Sequence, residues 1–220
     1  MPGRFLADCG GPFDLTAQHT ITCWDSQPTT PQELAITAFM KAEPQRFSGK
    51  HLLHVGIGNC HLPTELAAGL AGYVGITISR PEIDLFEHNF AGVKHARVLL
   101  LNKYDPRMYA ALTGQFDIVV DINLRGYACC EKHFRDMMTF FYAKLKRGGT
   151  LVTTERGAAW GWSGNTNRAY TPGMQLDPSI AKLRALPRDE IGELALHFGL
   201  AISEAYHPAT DEHILLLRKV

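Results

Sequence analysis

The chain has 220 residues, 45% hydrophobic and 20% charged, which suits one globular α/β domain and excludes a disordered chain. Lys plus Arg and Asp plus Glu number 22 each, so no basic excess points to duplex DNA or bulk RNA. No run is apolar for long enough to serve as a signal peptide or to span a bilayer, and the five cysteines (Cys9, Cys23, Cys60, Cys129, Cys130) include no C-x-x-C pair. This usage favours reduced thiols and a cytoplasmic setting over a disulfide framework or a zinc ribbon.

Residues 1–30 are irregular, with His19 and the pair Trp24-Asp25 standing out among glycines and prolines. At Thr29-Thr30-Pro31-Gln32-Glu33 the pattern changes to a helix start: a Thr cap, Pro at the first helical position and an acid in the first turn. Leu34, Ile36, Ala38 and Phe39 supply the apolar side of that helix, which stops at Pro44. Residues 1–46 read as an N-terminal arm and lid helix, and 47–220 as the main domain.

The organising stretch follows. His51 to Val55 is a short apolar strand that ends at Gly56-Ile57-Gly58, and Leu62, Leu66 and Leu70 then recur at helical spacing. Strand, glycine turn and helix form a unit that brings backbone close to a ligand and aims helix N–H groups at it. Gly72 to Ser79 is a second strand, Ile83 to Phe90 a helix, Ala96 to Leu101 a third strand and Pro106 to Leu112 a short helix. Gln115 to Asp121 makes a fourth strand, and a long helix runs from about Cys130 to Leu145. Gly148-Gly149 is expected to end that helix, with Thr150 to Thr154 as the fifth strand. Strands without polar alternation suit a parallel sheet buried on both faces. After a helix at Asp189–Phe198, two strands at Ile202–Tyr206 and Ile214–Arg218 are joined too closely for a crossover and should pair antiparallel. The expected fold is a doubly wound, mostly parallel seven-stranded sheet ending in an antiparallel hairpin, with helices on both faces.

This order resembles the class I S-adenosylmethionine-dependent methyltransferase family, with its Rossmann-like sheet. The residues that carry the resemblance are Val55-Gly56-Ile57-Gly58, the strand GYVGITIS, the strand FDIVVD and the segment LKRGGTLV, in an extent from about residue 50 to the C-terminus. The phrase Gly75-Ile76-Thr77-Ile78-Ser79 resembles a variant found in relatives of cyclopropane fatty acid synthase. Three positions depart from the family pattern: His54 replaces an acid before the turn, Cys60 replaces the third glycine, and Thr77 replaces the acid that holds the ribose hydroxyls. A Thr hydroxyl lacks the two charged acceptor oxygens of a carboxylate.

The resemblance implies S-adenosylmethionine as cofactor. It places Gly56, Ile57 and Gly58 beneath the methionine and ribose, with Asn59 and His54 at the amino-acid end. Thr77 and Ile78 fall by the ribose and adenine, Asn102 and Lys103 at the adenine edge, and Asp121 and Asn123 at the methyl end. Candidate bases are Asp121, His133 and Glu155, with His19 or Asp25 if the arm folds over. Residues 157–185 read as a substrate-side insertion in which Trp160, Trp162 and Tyr170, joined by Trp24 and Asp25, would contact a small ring-shaped acceptor. No second acidic cluster accompanies Asp121 and Asn123, so no metal is expected. The expected activity is methyl transfer to oxygen or nitrogen of a small molecule. An aminopropyl transferase on the same fold and a non-catalytic, methyltransferase-like binding protein are the alternatives.

Overall fold

A computed structural model describes residues 25–105, 110–126, 128, 131–159 and 186–220. Helix α1 (Pro31–Ala42) starts as its sequence demands: the Thr30 hydroxyl accepts the Glu33 backbone N–H, and Pro31 occupies the first turn. A short α2 (Pro44–Phe47) leads into β1 (His51–Val55). Helix α3 (His61–Leu66) and a 3-10 turn (Ala67–Gly69) precede β2 (Gly72–Thr77). Then come α4 (Arg80–Asn89), β3 (Ala96–Leu100), β4 (Phe116–Asp121) and α5 (Glu131–Lys144). The rest is β5 (Leu145–Thr154), the one-turn α6 (Glu155–Ala158), α7 (Arg188–His197), β6 (Leu200–His207) and β7 (Glu212–Lys219).

The seven strands form one sheet in the order β3-β2-β1-β4-β5-β7-β6. Strands β1 to β5 are mutually parallel, while β7 runs antiparallel to both β5 and β6. The direction of winding reverses between β1 and β4. At such a switch point the crossover helices leave the sheet on opposite sides and open a crevice at the carboxyl ends of the strands.

Alternate residues of each central strand feed two separate cores, which explains why the strands read as unbroken apolar runs. Leu53, Val119 and Leu151 pack with Phe134, Met137 and Phe141 of α5 and Ile191 of α7. Leu52, Val120 and Val152 pack on the other face with Ile36 and Met40 of α1, Leu62 of α3 and Phe86 of α4. Helix α1 therefore belongs to a core of the main sheet rather than lying loosely over it.

Two sequence expectations change in detail. The buried stripe of α1 is Glu33, Ala35, Ile36, Thr37 and Met40, and Leu34 faces solvent. The glycine pair does not stop α5, which ends at Lys144, because β5 begins at once at Leu145. Phe116 pairs with Leu145 and Ile118 with Thr150, so residues 146–149 form a bulge in β5. Gly148 takes φ +77°, and a Cβ on Gly149 would stand 2.9 Å from the Lys146 carbonyl oxygen.

Candidate functional site

A cavity of about 270 Å³ lies at the carboxyl ends of the parallel strands. Its floor is Val55, Gly56 and Gly58 after β1, and its walls are Ile76 to Ser79 after β2, Asn102 to Tyr104 after β3 and Asp121 to Asn123 after β4. Gln32 and Glu33 of α1 close one side, and Arg156 and Gly157 another. The sequence-predicted Gly56, Gly58, Asn59, Thr77, Ile78, Asn102, Lys103, Asp121 and Asn123 are thus brought together around one space.

The glycine turn has the backbone its sequence implies. Gly56 and Gly58 adopt φ +76° and +51°, and a Cβ at Gly56 would meet nothing within 4 Å. Cys60 keeps the left-handed conformation too, at φ +63°, which a non-glycine residue adopts at a cost of roughly 1 to 2 kcal/mol. Its side chain is buried, and burial beside the carboxylates of Glu82, Glu33 and Asp25 pushes the thiol up to about 12. It stays a protonated, packed thiol.

Ile57 and His54 sit in the molecular interior rather than on the cavity wall. Ile57 is fully buried in the core shared with α1 and α3. A Cβ on the neighbouring Gly75 would come within 2.7 Å of its Cγ2, so Gly75 makes room for it. The His54 ring is fully buried, with Nδ1 2.9 Å from the Tyr73 hydroxyl and Nε2 without a partner among the described residues. Desolvation lowers its pKa to about 3, so the ring is neutral. Asn59 reaches the cavity, but its amide N–H groups go to the Gln27 carbonyl and the Thr29 hydroxyl, both at 2.9 Å, and its Oδ1 accepts from His61 N. Its side chain fastens the segment before α1 to the glycine turn.

A carboxylate from α4 stands at the end of β2. Thr77 Oγ1 donates to Glu82 Oε2 at 2.6 Å and accepts from Ser79 N at 3.1 Å, and Glu82, almost fully buried, lines the cavity. Glu33 is a second buried carboxyl on the wall. Its Oε1 accepts the Leu62 N–H at 3.1 Å, which covers one of the unpaired donors at the start of α3. Desolvation, reinforced by the nearby Glu82 charge, raises Glu33 to about 7. Neither residue belongs to a motif, yet Glu33 had a signal: it lies on the helical face of Ile36 and Met40.

Lys103 and Asp121 form a buried ion pair across the ends of β3 and β4. Lys103 Nζ lies 2.8 and 3.1 Å from the Asp121 carboxylate oxygens and also donates to the carbonyls of Asn123 and Leu124. Burial works against both charges, pushing Lys103 down and Asp121 up, and their mutual attraction opposes it. Asn102 Oδ1 accepts the Tyr104 N–H, and the Tyr104 hydroxyl donates to the Gly126 carbonyl, so the loop after β3 is braced against the loop after β4.

The other predicted bases lie apart. Glu155 Oε2 is 3.0 Å from Arg188 and off the cavity wall, and His133 is on α5, also off the wall. Asp25 has a buried Oδ1 with no partner among the described residues, near Cys60. His19, Trp24, Trp160, Trp162 and Tyr170 lie outside the described residues, as does most of the predicted insertion at 157–185. Among the described residues no cluster of His, Cys, Asp and Glu could hold a metal ion, and no helix is long and apolar enough to cross a membrane.

No protein-family model and no curated protein sequence matches the chain. Solved structures do match in fold. N-methyltransferase NodS from Bradyrhizobium japonicum WM9 aligns over 86% of this chain and 97% of its own, with TM-score 0.59 and 14% identity. An amino pentose methyltransferase from Micromonospora echinaspora, solved with S-adenosylmethionine bound, aligns over 88% and 93% with TM-score 0.59 and 12% identity. An rRNA methylase from Streptococcus thermophilus aligns over 84% and 96% with TM-score 0.52 and 9% identity. In strand order, antiparallel final hairpin and overall superposition, the chain has the class I S-adenosylmethionine-dependent methyltransferase fold.

Proposed function

We propose that the chain transfers a methyl group from S-adenosylmethionine to oxygen or nitrogen of a small molecule, in a cytoplasmic setting. The observation that carries this reading is the convergence of the two left-handed glycines, the Thr77–Glu82 pair and Asn102 on one cavity at the switch point of the sheet. These residues fit the cofactor. Open space where a Gly56 Cβ would stand lets the backbone approach the ligand closely, and Glu82 gives the ribose hydroxyls the acceptor that Thr77 alone lacks. Asn102 would sit at the adenine edge, Gly58 beneath the methionine and ribose, and Asp121 and Asn123 beside the methyl-donor end. When bound, the cofactor supplies an electrophilic methyl group on a sulfonium centre.

Glu33 is the side chain best suited to accept a proton from the acceptor. It lines the cavity, and its pKa near 7 keeps an appreciable carboxylate fraction at neutral pH while making it a stronger base than an exposed Glu. Asp121 is held by Lys103 and is better placed to fix the loop after β4 than to take up a proton. Trp24, Asp25, Trp160, Trp162 and Tyr170 are the proposed acceptor contacts, carried on the N-terminal arm and the insertion. The fold by itself serves small-molecule and RNA acceptors alike, as its neighbours illustrate, and the zero net charge favours the small molecule.

Methyl-labelled cofactor and a panel of amines, phenols and aliphatic alcohols test the reading. Label should pass to at least one acceptor, and Glu33→Gln should lower kcat by about 10²-fold or more while S-adenosylhomocysteine still binds. Cofactor binding without transfer to any acceptor would favour the non-catalytic alternative.

A further inference from the structure

A second cavity, of about 510 Å³, opens at the opposite edge of the sheet, where the parallel strands begin. Arg46 lies in α2, Lys50 precedes β1, Arg147 sits in the β5 bulge and Arg218 is near the end of β7. Four cations from four separate segments therefore surround one concave space in a chain whose net charge is zero. The arrangement is not legible as a run of basic residues, because the topology gathers it.

The only acidic residue on this wall among the described residues, Asp117, is already engaged. Its Oδ2 accepts from Lys146 Nζ at 2.8 Å and from the His51 N–H at 2.9 Å. Among the described residues, no carboxylate lies within ion-pairing distance of Lys50, Arg147 or Arg218. Arg46 is 3.4 Å from Glu43 and rests over the Phe39 and Phe47 rings, which orients its guanidinium. The bulge that presents Arg147 is fixed by backbone geometry: Gly148 at φ +77°, and Gly149 with carbonyl oxygens where a Cβ would go. Asp117, acted on by both Lys146 and Lys50, offsets only part of the positive charge around this space, and a bound anion relieves the repulsion that is left. Guanidinium groups match phosphate oxygens in paired hydrogen bonds, and the volume falls in the range of small-molecule sites.

We propose that this second cavity binds a small molecule carrying two or more phosphate groups, separately from the cavity at the carboxyl edge. Lys50, Arg147 and Arg218 hold the phosphates, and Arg46, on α2, closes one side.

Calorimetric titration of the full chain with pyrophosphate, at low and at physiological salt, tests this. Parallel titrations use inorganic phosphate and single-stranded RNA, and are repeated on R147Q/R218Q and on R97Q as a charge-loss control on exposed β3. The proposal predicts pyrophosphate binding that survives physiological salt, exceeds inorganic phosphate by tenfold or more, and falls at least tenfold in R147Q/R218Q but not in R97Q. S-adenosylhomocysteine binding and the thermal midpoint should be unchanged in R147Q/R218Q, because Arg147 and Arg218 are exposed and remote from the first cavity. Binding that vanishes at physiological salt, or equal loss in R97Q, would reduce the site to diffuse surface charge and overturn the proposal. RNA binding tighter than pyrophosphate and abolished in R147Q/R218Q would overturn it in favour of a nucleic-acid surface.

Discussion

Lys103 Nζ stands 2.8 Å from Asp121 Oδ2, with the two side chains only 8% and 2% exposed, and this contact ties the loop after β3 to the end of β4. Removing one member leaves the other as a buried, unpaired charge. Asp121→Leu should therefore destabilise the fold by about 3 to 5 kcal/mol in urea denaturation. The double change Lys103→Met with Asp121→Leu should be less destabilising than Asp121→Leu alone. It should retain a loss of about 1 to 3 kcal/mol, because the Asn123 and Leu124 carbonyls lose their donor. A double variant no more stable than the single one would show that the pair is not coupled.

His54 and Glu33 make opposing contributions to the pH dependence of stability. The His54 pKa falls from 6.5 to about 3 on folding, so its unfolded form binds the extra proton and stability is lost as pH drops below about 6.5. The Glu33 pKa rises from 4.5 to about 7, so its folded form binds the extra proton and stability is lost as pH rises from about 4.5 to 7. Between about pH 4.5 and 6.5 the two slopes largely cancel. Glu33→Gln should uncover the His54 slope there, giving stability that climbs with pH by at most roughly 3 kcal/mol. Chemical denaturation of the wild type and Glu33→Gln across pH 4.5 to 8 measures this, and an unchanged profile for Glu33→Gln would contradict the assignment.

Gly75 lies in β2 with Ile57 Cγ2 and Val98 Cγ2 only 2.7 and 2.8 Å from where its Cβ would stand. Gly75→Ala should lower stability by about 1 to 3 kcal/mol through overpacking. Adding Val98→Ala removes the Val98 Cγ2 methyl from that contact, so the double variant should lose less than the sum of the two single changes. Thermal unfolding of the single and double variants checks it.

Much of the architecture is legible in the sequence. The strands were legible because residues such as Leu52 and Leu53 are buried on opposite faces and leave no polar alternation, and the Thr30-Pro31 start of α1 declared itself by its cap. The role of Gly148-Gly149 was misread, since a glycine pair after a helix looks the same whether it caps the helix or bulges the following strand. In the candidate site, backbone-driven positions such as Gly56 and Gly58 were legible, whereas Glu82 was not. Its part depends on α4 bringing it back to Thr77, a tertiary contact with no periodic signature. His54 drew attention by its chemistry, yet strand alternation alone puts it on the face of Leu52 and inside the core.

If Glu82 and Thr77 act together on the ribose hydroxyls, their variants should lose the same contact. Glu82→Gln keeps an acceptor but loses the charge, and should weaken S-adenosylhomocysteine binding by about tenfold. Thr77→Val removes the hydroxyl that positions Glu82 and should weaken it by a comparable factor. The double variant should fall short of the product of the two losses, because both act on one contact. Wild-type affinity in all three variants would remove Glu82 from the cofactor site.

The central claim is that the cavity after β1 is a working cofactor site, and titration calorimetry with S-adenosylhomocysteine tests it most directly. Wild-type protein should bind with micromolar affinity, and Gly56→Val should lose that binding, since a branched side chain at φ +76° is strained and projects into the space the ligand needs. Absence of binding by the folded wild-type chain at millimolar ligand would contradict the methyltransferase reading. It would leave the fold as a scaffold for binding something else.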